Sequence, residues 1–97
     1  MLISHPNELI DVTQALDYYQ DMPTLLRQNG FEFRVMTNDH EPAHIHVFLR
    51  DGEAKINILT AEVIGVWNMR PGDVRRAEEI VRENREAFLA GWRQIHG

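Results

Sequence analysis

The stretch Asp39-His40-Glu41-Pro42-Ala43-His44-Ile45-His46-Val47 holds three of the five histidines of this 97-residue chain, set among carboxylates and a proline. Proline fixes its own φ and pushes the preceding residue out of the helical region, so a turn over 38–43 should deliver the chain into an extended run from His44. Side chains alternate along a strand, so His44, His46 and Phe48 share one face while Ile45, Val47 and Leu49 share the other. Two imidazoles at i, i+2 can meet one metal ion, and a third ligand from His40 or Glu41 would leave coordination positions open, as catalytic sites do. The expected metal ligands are His40, His44 and His46, and their chemistry suits zinc, nickel, copper or iron. Ligating imidazoles are neutral, so binding should weaken as pH falls through the range where histidine protonates.

The same residues admit chemistry without a metal. His40, Glu41, His44 and His46 are the candidate catalytic set, in which an imidazole moves protons while Arg34 or Lys55 stabilises an anion on the same sheet face. Asn57 is the expected hydrogen-bond support for His46, which it should face across the sheet. Histidine pairs of this spacing also arise by chance on sheet faces. A face bearing Arg34, Met36, His44, His46, Phe48, Lys55, Asn57 and Leu59 has the mixed composition of a protein interface. Serine elbows, glycine-rich phosphate loops, nucleophilic cysteines and helical zinc motifs do not occur in the sequence.

The elements that must position these residues read as follows. Phe31-Glu32-Phe33-Arg34-Val35-Met36 alternates as a first strand, His44 to Arg50 forms the second and Glu53 to Leu59 the third. Asp51-Gly52 is a hairpin signal, because a type I′ turn takes positive φ at its two central residues. That loop pairs Arg50 with Glu53, Val47 with Ile56 and His46 with Asn57, which puts Ile45, Val47, Leu49, Ala54, Ile56 and Ile58 on one apolar face. The cover for it is a helix from Pro71 to the C-terminus, whose Val74, Ala77, Ile80, Val81, Phe88, Trp92 and Ile95 recur at three and four residues. Upstream, Pro6 should open a short helix carrying Leu9, Val12, Leu16 and Tyr19 on one stripe. The stretch Thr60 to Arg70 has no clear period. The expected fold is α+β: a three-stranded antiparallel meander under one long C-terminal helix, with residues 1–21 a helical extension and 22–97 a single domain.

Composition narrows the partners. A formal charge of −5 with no lysine or arginine block disfavours nucleic acid. The absence of cysteine excludes disulfides and thiolate metal sites. With no signal-peptide pattern and no apolar run near the length of a membrane span, the chain reads as soluble and cytoplasmic.

At these residues the chain resembles a family of small bacterial proteins known as domain of unknown function four-one-six-zero. The resemblance lies in Met22-Pro23-Thr24, the aromatic strand Phe31-Glu32-Phe33, His40-Glu41-Pro42-Ala43-His44-Ile45-His46-Val47, Gly52-Glu53-Ala54-Lys55, and Glu83-Asn84-Arg85-Glu86 before Trp92. It runs from Met22 to the C-terminus. Alanine at 43 stands where the family pattern has a second proline. The resemblance implies one component of a toxin–antitoxin-like two-gene pair, and with the mixed composition of the histidine face the expected function is a small interaction or regulatory module that meets a protein partner or a second copy there. The alternative, read from His40, Glu41, His44 and His46, is a metal-dependent or histidine-driven hydrolase or nuclease whose cofactor would be a divalent transition metal such as zinc.

Overall fold

In a computed structural model, residues 7–9 and 22–97 are described. The strands are β1 (Asn7–Leu9), β2 (Thr24–Gln28), β3 (Phe31–Arg34), β4 (His44–Leu49), β5 (Gly52–Asn57) and β6 (Val63–Trp67), followed by helices α1 (Pro71–Glu83) and α2 (Arg85–His96). Every strand pairs antiparallel with its sequence neighbour, so the sheet order is the chain order. The α+β class holds, but the meander is longer than the three strands expected and the long helix is two helices. The helix expected from Pro6 does not form at Asn7–Leu9, which is strand. The rest of the predicted extension lies outside the described residues.

Local chemistry explains the differences. Asn29 and Gly30 both have positive φ, 53° and 85°, and form the two-residue loop between β2 and β3. This is the backbone an Asn-Gly pair adopts most readily, so Leu25-Leu26-Arg27 becomes a strand. The β4–β5 loop is instead Arg50-Asp51, with positive φ only at Arg50. Gly52 has a different reason to be glycine: a Cβ there would lie 2.2 Å from the carbonyl oxygen of Asn68. The register is therefore displaced by two residues from the predicted one, pairing His44 with Asn57, His46 with Lys55, Val47 with Ala54 and Phe48 with Glu53. A two-residue displacement preserves parity, so Val47 and Ile56 still share the buried face.

That face packs under the helices. Phe33, Val35, Ile45, Val47, Ile56 and Ile58 are fully buried with Ala77, Ile80, Val81 and Phe88, and Phe33 stacks on Phe88 with centroids 5.4 Å apart. The apolar stripe continues across the helix break because Val81 and Phe88 are one heptad apart. Asn84 makes the break: its side-chain amide donates to the Ile80 carbonyl at 2.8 Å, and its backbone turns to φ −116°, ψ 21°. Arg85 then donates to the Ile58 carbonyl at 3.3 Å, fixing the start of α2 to the end of β5. Among the described residues no helix is long and apolar enough to cross a membrane.

Candidate metal centre

The turn before β4 folds back on the histidine face. Met36 and Asp39 close it reciprocally, with the Met36 N–H donating to Asp39 Oδ2 at 3.0 Å and the Asp39 N–H to the Met36 carbonyl at 3.2 Å. The Asp39 carboxylate then lies over the imidazoles. His46 Nε2 is 3.1 Å from Oδ2, and His44 Nε2 is 3.3 Å from Oδ1. Both histidines are buried, at 6% and 4% exposure, unlike the exposed pair that a chance occurrence would leave. Their rings meet edge-on with centroids 5.1 Å apart.

The outward nitrogens have fixed roles. His44 Nδ1 lies 2.8 Å from the Pro42 carbonyl, which only accepts, so this nitrogen carries the proton. His46 Nδ1 lies 3.0 Å from Glu53 Oε2 and donates to that carboxylate for the same reason. In a neutral ring each Nε2 is then a lone pair aimed at Asp39, whereas a protonated His46 donates from Nε2 to the Asp39 oxygens at 3.1 and 3.3 Å. His44 Nε2 is buried without a hydrogen-bond partner. Its separation from Asp39 is short, but the angle does not make a hydrogen bond. With both rings neutral, three acceptors converge in a group that could hold a cation. A tetrahedral zinc with bonds of about 2.0–2.1 Å spaces its ligands about 3.3 Å apart, close to the Asp39–histidine separations. Glu53 and the Pro42 carbonyl supply the outer hydrogen bonds that ligating histidines ordinarily make.

The predicted site residues divide. The structure brings together His44 and His46, as strand parity requires, and adds Asp39 in place of His40 as the third convergent ligand among the described residues. His40 and Glu41 are exposed on the wall of a cleft of about 710 Å³ that opens over the cluster. Glu41 Oε2 accepts from Trp92 Nε1 at 3.4 Å. Asn57 faces His44 rather than His46, and its Oδ1 caps the following turn by accepting the Leu59 and Thr60 amides at 2.8 and 3.0 Å, so it does not support His46. Arg34 is turned to Glu32, with Nε 3.1 Å from Oε1, and lies over the Phe48 ring. Burial raises the Glu32 pKa, but Arg34 and Arg27 outweigh it and hold this carboxylate below its ordinary value. Lys55 lines the cleft across from His46.

The C-terminal turns of α2 brace this end of the sheet. Trp92 packs on His44 with centroids 5.3 Å apart, and His96 reaches the Met36 carbonyl through Nε2 at 3.1 Å. Asp39 and Glu53 are the residues sequence reasoning did not assign. Glu53 has the parity of the histidine face and so carried a signal, whereas Asp39 stands in the histidine-rich stretch but reaches the site through a turn that no period reports.

No curated protein and no solved structure matches the chain. A family model does: that of the Domain of unknown function (DUF4160) matches residues 30–93, from the β2–β3 turn to the last turns of α2, and the chain belongs to that family.

Proposed function

We propose that the protein binds a divalent transition metal through Asp39, His44 and His46 and uses it for hydrolytic chemistry in the cleft above them. The buried, unpartnered Nε2 of His44, aimed with His46 at one carboxylate, carries this reading. Three protein ligands leave a position for water, which a bound metal acidifies into a nucleophile near neutral pH. His40 and Glu41 on the cleft wall are the groups available to move protons. The test is elemental analysis of protein purified without a polyhistidine tag, joined to zinc titrations of wild type and His46→Ala. Stoichiometric metal in the wild type and its loss in the variant are expected. Metal-free protein with matching titrations would dismiss metal chemistry.

A second reading, an interaction module of a toxin–antitoxin-like pair, is favoured by the edge strand β6. Among the described residues no strand pairs with its outer edge, and Ile64, Val66 and Trp67 are 48%, 42% and 53% exposed. An uncharged apolar edge is a template for strand addition by a partner protein. Co-expression with the neighbouring gene product tests it. Co-purification lost in Val66→Lys would support strand addition at β6, and failure to co-purify with no growth effect of either protein would count against the pair.

A further inference from the structure

We infer that the cleft takes an oxyanion together with the metal, bridging the metal's open positions and the ammonium of Lys55; this rests on the metal reading above. Lys55 sits directly across the β4–β5 ladder from His46, half-buried, and lines the same cleft. The residues beside it on its strand face are already engaged. Glu53 holds His46 Nδ1 at 3.0 Å, and the Asn57 oxygen holds two backbone amides. On the other side its register partner is Gly65, which has no side chain to meet it. Among the described residues Lys55 has no hydrogen-bond or ion-pair partner. The other cation expected on this face, Arg34, is held by Glu32.

A divalent ion held by Asp39 keeps one positive charge toward the cleft, since the Glu53 carboxylate on His46 Nδ1 is not among the cleft-lining groups, and Lys55, unpaired among the described residues, lines the same cleft. Like charges on one floor repel, and a single anion bound between them relieves both. The other charges on the cleft wall are Glu41 and Glu62, and the chain is acidic overall. They oppose a polyanion while leaving room for one carboxylate or phosphate group. The lysine therefore selects the ligand and does not hold the metal.

The full chain loaded with cobalt(II), whose visible spectrum reports coordination, tests this. Wild type, Lys55→Met and Lys55→Arg are titrated with inorganic phosphate in one arm and acetate in the other. A saturable shift in the wild type with at least one anion is expected, weakened about tenfold or more in Lys55→Met, as loss of a charged hydrogen bond implies, and retained in Lys55→Arg. Cobalt should load at least as tightly in Lys55→Met, because a neighbouring positive charge is gone. A response to phosphate alone assigns a phosphate-bearing ligand, and one to acetate alone a carboxylate-bearing ligand. No anion response, or the same response in wild type and Lys55→Met, overturns the inference and leaves the metal centre standing. Failure of the wild type to take up cobalt removes both.

Discussion

Glu53 decides which nitrogen of His46 faces Asp39. By accepting the Nδ1 proton it leaves Nε2 as the lone pair, so its removal should weaken metal binding without touching a ligand. For Glu53→Ala the expected loss is roughly 10- to 100-fold in affinity, read by competition with a chromophoric chelator, with an unchanged far-ultraviolet spectrum. Glu32 offers a separate test in acid. Its folded pKa lies below the ordinary glutamate value of 4.5, so its contribution to stability is present above about that pH and lost as pH falls through the folded value. The pair with Arg34 is about a third exposed, which keeps the contribution below about 1 kcal/mol. Urea unfolding of Glu32→Gln against wild type should therefore differ at neutral pH and converge at low pH; a constant difference would refute the linkage. The histidine pair was legible at this scale because strand parity fixes it. Asp39 was not, because its approach depends on a turn in which its side chain bonds the Met36 amide, and no periodicity reports that.

Elements were legible where one face is buried. β3, β4 and β5 alternate between core and histidine face, so pattern alone reveals them. β6 is an exposed edge with a register shift between Lys55 and Ile56 opposite it, and β2 carries a shift at Thr24/Leu26, so neither keeps the clean period of two. The helix break was hidden by an apolar stripe that runs on through Asn84. Hairpin assignment turned on which glycine supplies conformation and which supplies space. Gly52→Ala would drive its methyl into the Asn68 carbonyl, and this backbone contact cannot be relieved by a rotamer change. It should destabilise the protein by roughly 1–3 kcal/mol in urea unfolding, the usual range for overpacking. A neutral outcome would show that the Asn68 carbonyl does not lie against Gly52.

Across the whole molecule, the sheet and the two helices serve one end of one face. The core sets strand parity, parity aligns His44 with His46, and the last turns of α2 hold Met36 and Glu41 around the turn that brings Asp39 in. The wider fold was legible as one α+β layer pair, while the convergence of Asp39 on the two histidines was not. A ligand that binds only the folded chain stabilises it, by about 2.7 kcal/mol at a hundredfold excess over Kd, so zinc should raise the Tm of wild type and not of Asp39→Ala. The most direct measurement is a calorimetric zinc titration of wild type, Asp39→Ala and His40→Ala, each shown folded by circular dichroism. One zinc per chain is predicted for wild type and His40→Ala with similar affinity, and a loss of at least about a hundredfold for Asp39→Ala, beyond what an outer hydrogen-bond partner is worth. Binding abolished by His40→Ala and kept by Asp39→Ala would contradict the Asp39, His44 and His46 centre.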